Sequence, residues 1–191
     1  MEHKGTLPLE TPRLLLRRFR PEDAEAMWRN WASDARVTKY LTWPPHKSAA
    51  VTRALLERWC AGYADPAYYQ WAIVLKEPGE PIGSISAVRF LKGGSCAEIG
   101  YCIGHAWWGR GLTAEALGAV IAFFFETVGI PEVGACHDTR NPNSGRVMEK
   151  CGMLHRMTLP GQGTNNLGVC DLERYSITKT EYDGRKEENE P

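Results

Sequence analysis

Glu98-Ile99-Gly100-Tyr101-Cys102-Ile103-Gly104-His105-Ala106-Trp107-Trp108-Gly109-Arg110-Gly111-Leu112-Thr113-Ala114-Glu115 reads as a strand end, a glycine-bearing turn and a helix start. The helix continues from Leu112 to Val128 and is apolar on nearly every side, so it belongs in a core against a sheet. Gly109 and Gly111, with Arg110 between them, let the backbone come close to a ligand and turn its N–H groups inward. At a helix N-terminus the macrodipole adds roughly half a positive charge to those donors. That arrangement suits a pyrophosphate, and Arg110 supplies further positive charge. The turn is neither a Walker loop, Gly-x-x-x-x-Gly-Lys-Ser/Thr, nor a dinucleotide fingerprint, Gly-x-Gly-x-x-Gly. Two glycines alone fit a plain strand end before a core helix equally well.

Working outward, the N-terminal side begins with a short strand, Arg13 to Arg17 after Pro12. Pro21-Glu22-Asp23 then opens a helix, with Pro at the first position and acids in the first turn. Ala24, Met27, Trp28 and Trp31 recur on it at helical spacing. Trp43-Pro44-Pro45 breaks the chain, and Ser48 caps a second helix with Val51, Leu55 and Trp59 on one side. Trp71 to Leu75 and Ile82 to Phe90 flank the turn-forming Pro78-Gly79-Glu80-Pro81, which predicts a β-hairpin. Lys92-Gly93-Gly94-Ser95 turns into the strand Ala97 to Ile103. Beyond the long helix come a strand, Val133 to His137, a helix, Ser144 to Lys150, stopped by Gly152, and a last strand, Leu167 to Ile177. The pattern predicts an α+β domain with a mixed sheet. Residues 1–183 form that domain, and the polar Gly184 to Pro191 reads as a flexible tail.

Composition narrows the function classes. A chain of 191 residues fits one domain and needs no metal or disulfide staple. Lys plus Arg and Asp plus Glu number 23 each, which argues against a nucleic-acid binder relying on a strong basic field. Six cysteines (Cys60, Cys96, Cys102, Cys136, Cys151 and Cys170) and five histidines show no metal-ligand spacing, so free thiols in a reducing cytoplasm are expected. Met1 to Gly5 leads into no secretion signal. The apolar run Ala116 to Phe125 is too short for the roughly 20 residues that span a bilayer.

More of the chain bears on the central turn. Ahead of it stand Thr11-Pro12-Arg13-Leu14-Leu15-Leu16-Arg17, Glu22-Asp23-Ala24, Ile82-Gly83 and Ala97-Glu98-Ile99-Gly100-Tyr101. Behind it come Asn141-Pro142-Asn143-Ser144 and Arg146-Val147-Met148-Glu149-Lys150-Cys151-Gly152-Met153. In this order, with Trp108 to Ala116 between them, they resemble the GNAT superfamily of N-acetyltransferases. Within it they resemble the branch that includes the ribosomal-protein N-terminal acetyltransferases RimJ and RimL. The resemblance runs to about Tyr182. It implies a GNAT-type domain whose mixed, mostly antiparallel sheet is flanked by helices and has a splayed central strand pair. It also implies acetyl-coenzyme A as acetyl donor, no metal, and a primary amine as acceptor, either a protein N-terminus or a small molecule. A homodimer is compatible with it.

Residue by residue, the resemblance implies that Tyr101, Cys102 and Ile103 pair their backbone with the pantetheine arm. An N–H there would stabilise the tetrahedral oxyanion. The amides of Gly109, Arg110, Gly111, Leu112, Thr113 and Ala114 would hold the pyrophosphate, and Asn141 would hydrogen-bond the cofactor. Asn141 also suits a plain helix cap. Trp108 and Thr113 depart from the common superfamily turn, although Trp108 suits this branch. Where many members carry a tyrosine as general acid this chain has Met148, which has no proton to give. Ser144 is the hydroxyl near that end and the expected proton donor beside the cofactor.

Direct attack by the amine on the thioester is expected rather than an acyl intermediate on Cys102 or Cys136, because no base can be paired with either thiol. A chain α-amino group, pKa about 7.7–8.0, is deprotonated far more readily than a lysine at about 10.4. Glu98, which strand alternation places on one face with Gly100 and Cys102, is the expected base, acting through water. His105 and His137 are weaker candidates. The aromatics Trp28, Trp31, Tyr40, Trp43, Trp59, Tyr68, Tyr69 and Trp71 crowd the half where the acceptor cleft is expected, most of them as core residues. A non-catalytic acetyl-CoA sensor and a transferase of longer acyl chains are the competing readings.

Overall fold

Leu14 and Leu16 are fully buried on one side of a strand while Leu15 and Arg17 turn to the other, the period-two pattern of a sheet. The computed structural model describes residues 1–189, and this strand is the second of eight in one sheet. The strands are β1 (Leu9–Glu10), β2 (Leu14–Arg17), β3 (Gln70–Leu75), β4 (Pro81–Leu91), β5 (Cys96–Ile103), β6 (Glu132–Asp138), β7 (Leu154–Asn165) and β8 (Gly168–Thr178). They lie in the order β1-β2-β3-β4-β5-β6-β8-β7. Only β5 and β6 run parallel. The domain is α+β with a mixed, mostly antiparallel sheet, as the sequence predicts.

Helices cover both faces. They are α1 (Ala24–Met27), α2 (Ala35–Thr38), α3 (Ala49–Gly62), α4 (Leu112–Phe123), α5 (Pro142–Lys150) and α6 (Lys179–Asn189). Every residue of β3 from Gln70 to Val74 is buried because both of its faces are covered. Trp71 and Ile73 join one core with Leu117, Val120, Ile121 and Phe124 of α4 and its continuation. Ala72 and Val74 join a second core with Met27, Trp31 and Leu56. Each fully buried large apolar side chain contributes about 1.5–3 kcal/mol, which is why α4 is apolar almost all round.

Three local expectations need correction. On α3, capped by Ser48, the inward residues are Thr52 and Leu56, while Val51 is 48% exposed. The strand β7 gave no sequence signal: it is exposed almost throughout and carries Pro160, Gly161 and Gly163, tolerable only at a sheet edge. The segment from Gly184, read as a tail, continues α6 as far as Asn189, and Glu190 and Pro191 lie outside the described residues. That helix is held by Lys179 to Asp183 (2.6 Å) and by the Tyr182 hydroxyl donating to Glu126 (2.7 Å).

The feature that positions the site is the one parallel pair. β5 and β6 pair at Cys96–Glu132, Ala97–Val133 and Glu98–Gly134, and then part. β5 runs on to Ile103 bound only to β4, and β6 to Asp138 bound only to β8. The strands splay into a wedge. Since α4 follows the end of β5 and α5 the end of β6, both helix N-termini stand at its open end. Carboxyl ends of parallel strands, at a break in the sheet, are where α/β sheets bind ligands.

Candidate active site

The register fixes which backbone groups face the wedge. In an antiparallel ladder, alternate residues turn their N–H and C=O toward the partner strand and away from it. Gly104 N–H donates to the Ile82 carbonyl (2.8 Å), which makes Ile103–Gly83 a pair whose own groups point outward. By the same alternation Tyr101 points outward too, into the wedge, and Cys102 spends its backbone on Ser84. Of the three residues expected to meet the pantetheine, Tyr101 and Ile103 present main-chain groups and Cys102 does not. The Ile103 carbonyl is already taken by the Trp108 indole N–H (2.9 Å), leaving the Tyr101 N–H and C=O and the Ile103 N–H.

At the turn before α4, Gly109 (φ 74°) and Gly111 (φ 75°) are both left-handed, a conformation that favours glycine. Gly111 is the N-cap of α4. The amides of Gly109, Arg110, Gly111, Leu112, Thr113 and Ala114 donate to no acceptor among the described residues, whereas Glu115 N–H already closes on the Gly111 carbonyl (3.1 Å). A run of unspent donors at the N-terminus of a long helix fits a pyrophosphate. Sequence reading missed what pins this turn. Glu115 accepts from the Thr11 hydroxyl (2.6 Å), the Arg13 N–H (2.9 Å) and Arg13 Nε (2.6 Å), and Arg13 Nη1 donates to the Arg110 carbonyl (3.0 Å). Burial pushes the Glu115 carboxyl up, but these bonds outweigh it and hold it below its ordinary value. No spacing rule could find a pair so far apart in sequence.

At the other helix, Asn141 is the N-cap of α5, and its side chain makes no cap bond among the described residues. Ser144, in the first turn, meets Tyr101 from across the wedge: the phenol lies 2.9 Å from the Ser144 carbonyl and 3.0 Å from Oγ. Burial pushes the Tyr101 phenol well up. Met148 is 1% exposed, a core residue. Glu98 is 5% exposed and accepts from Arg89 Nη2 (2.6 Å) and Arg174 Nη1 (3.0 Å). It shares its face with Cys102, which borders the second core, while Ser144 reaches the Tyr101 side. The two expected catalytic residues thus stand on opposite faces of the sheet.

The thiols are poor nucleophiles. Burial raises the Cys102 thiol, and burial together with nearby Glu98 raises that of Cys136 to about 11. Trp31, Tyr69 and Trp71 are core. Tyr40 and Trp43 flank a bridge that sequence reading missed: Asn166 Nδ2 donates to the Thr38 and Trp43 carbonyls (2.8 Å each). The Tyr40 hydroxyl donates to the Arg140 carbonyl (3.0 Å).

His137 has a structural place. Its Nδ1 donates to the Asp138 carbonyl (2.8 Å), its ring lies 5.6 Å from that of Tyr175, and its buried Nε2 has no partner among the described residues. A Cβ at Gly145 would stand 2.6 Å from that nitrogen, so α5 rests on the ring. Alanine for glycine inside a helix ordinarily stabilises by about 1 kcal/mol. Gly145→Ala is expected to reverse the sign and destabilise by about 1–3 kcal/mol. Gly118→Ala in α4, whose Cβ would meet nothing within 4 Å, keeps the ordinary sign. Melting curves of the two variants check this.

No helix of the described residues is long and apolar enough to cross a membrane. The acetyltransferase (GNAT) domain family matches residues 13–154. The chain is 30% identical over 171 residues to the uncharacterized N-acetyltransferase YoaA of Bacillus subtilis (strain 168), covering 90% of this chain and 96% of YoaA. In fold it is similar to the microcin C7 self-immunity acetyltransferase MccE, solved with acetyl-CoA and AMP (TM-score 0.79, 18% identity, 88% of this chain and 93% of that one). It is likewise similar to the ribosomal-protein-S5-alanine acetyltransferase of Vibrio fischeri (TM-score 0.79, 15% identity, 91% and 97%). The match spans the wedge and both helix N-termini that frame it: the chain belongs to the GNAT family and is an acetyl-CoA-dependent N-acetyltransferase.

Proposed function

We propose that the chain transfers an acetyl group from acetyl-CoA to a primary amine, of a peptide N-terminus or a small molecule, by direct attack within a ternary complex. The observation that carries this reading is the wedge, with unspent amides of Gly109 to Ala114 at its mouth and the outward backbone of Tyr101 and Ile103 along one lip. The turn holds the pyrophosphate, Asn141 adds a side-chain bond, and the Tyr101 or Ile103 N–H stabilises the oxyanion. The amine approaches on the Glu98 face and gives its proton through water to Glu98. The thiol leaves on the Ser144 face, with Ser144 as proton donor. Opposite placement of the two residues supports attack and departure on different sides. The raised thiols of Cys102 and Cys136 favour direct transfer over an acyl-cysteine.

Acetyl-CoA at about 100 times its dissociation constant is expected to stabilise the fold by about 2.7 kcal/mol. For a chain of this size that raises melting by about 5–10 °C. Free adenosine gives much less. Thiol release from acetyl-CoA across a panel of peptides and small amines then separates the enzyme from an acetyl-CoA sensor. Tight binding with silence throughout the panel rejects turnover, and no melting shift at millimolar acetyl-CoA rejects both.

A further inference from the structure

We propose that Tyr101 is a positioning residue for Ser144, its phenol aiming and polarising the serine hydroxyl toward the departing sulfur. The proposal rests on the acyl-transfer reading above and assigns a side chain for which that reading uses only the backbone.

Tyr101 sits on the parting stretch of β5, and its ring is packed against the core that α4 shares with α5. Among the described residues its hydroxyl has two hydrogen-bond partners, both on Ser144: the carbonyl at 2.9 Å and Oγ at 3.0 Å. A phenol has one proton to donate. With that proton on the Ser144 carbonyl, the serine hydroxyl donates back to the phenol oxygen and its own proton is turned away from the wedge. With it on Oγ, the serine proton is free to point at the sulfur, and the bond from tyrosine stabilises the negative charge that builds on Oγ as the proton leaves. A rotation of the phenolic O–H switches between the two, without movement of either side chain.

The proton balance is closed. Attack by the amine forms the C–N bond, and collapse of the tetrahedral intermediate breaks the C–S bond. The sulfur takes the Ser144 proton and the acylated nitrogen passes its own through water to Glu98; exchange with solvent then resets both groups, Glu98 giving up one proton and Oγ regaining one. Tyr101 keeps its own proton throughout, since burial disfavours the phenoxide. Tyrosine therefore acts only through serine.

The test is a double-mutant cycle of Tyr101→Phe and Ser144→Ala, run with the fastest amine of the panel. General acids are worth about 10²–10⁴-fold. Tyr101→Phe is expected to remove about tenfold of that from kcat, with the KM for acetyl-CoA within about twofold of the parent. The double variant should match Ser144→Ala alone within about twofold, because the phenol has nothing to act on once the hydroxyl is gone. An unchanged acetyl-CoA melting shift in Tyr101→Phe verifies that the fold and the donor site survive. A parent-like kcat in Tyr101→Phe, or effects that multiply in the double variant, overturns the proposal and leaves the acetyltransferase reading standing. A wild-type chain silent on the whole panel removes both.

Discussion

Ser144→Ala is expected to lower kcat by about 10²-fold, the low end of general acid catalysis, with little change in the KM for acetyl-CoA. The low end applies because a thiol, with a pKa of about 8.5, is a fair leaving group even without a proton. The serine stands in the first turn of α5, where the helix dipole already favours the developing negative charge and survives the substitution. Donor affinity should be spared because Tyr101 still has the residue's main-chain carbonyl to bond at 2.9 Å, so the wedge keeps its shape. Steady-state rates with saturating acetyl-CoA decide the point. A parent-like kcat would take Ser144 out of proton delivery, and a large rise in KM would make it a binding group instead.

Glu115→Ala should have the largest effect on donor binding. The carboxylate gathers Thr11 and Arg13, and Arg13 in turn holds the Arg110 carbonyl at the apex of the turn. Hydrogen bonds to charged groups are worth about 1.5–3 kcal/mol each, but Arg13 is half exposed, so its share is discounted for screening. A loss of about 2–3 kcal/mol follows, or about 5–10 °C in melting. The dissociation constant for acetyl-CoA should rise by about tenfold or more, since the turn must be ordered at the moment of binding. Glu115→Gln keeps the shape without the charge and should fall between. A calorimetric titration of the three proteins measures this, and equal affinities would mean that the turn stands unaided. The acid limb has a definite sign. Because the folded Glu115 carboxyl titrates below its ordinary value, its stabilisation is present above about pH 4.3 and is lost as pH falls through the folded value. That part of the acid loss should vanish in Glu115→Ala.

The fold was legible where one residue's neighbours in sequence are also its neighbours in space. The short apolar run of β2, the strand, turn and helix start around β5, the apolar run of α4 and the glycines of the turn all declare themselves within a few positions. β7 did not, because an edge strand with both faces in solvent carries no alternation, and its Pro160 and glycines imitate a loop. The polar end of α6 read as a tail because the groups that hold it, among them Glu126, lie in another helical segment. In the site the same division holds. Gly109, Gly111, Asn141 and Ser144 could be picked out from local pattern and resemblance. Their partners could not. The Glu115–Arg13 clamp, the Arg174 bond to Glu98 and the Tyr101 contact with Ser144 all join strands and helices distant in the chain.

A sheet that parts after three rungs is mechanically two plates, five strands on one side and three on the other, sharing a short hinge. Across the gap, the load passes through α4 and α5, which touch each other as well as the sheet. A thioester carrier lying in the gap would take up hydrogen bonds from the lip of one plate and press on the helix start that caps the other. Occupancy and rigidity then become a single variable: the donor stiffens the body that must hold it still while the acyl carbon changes hands.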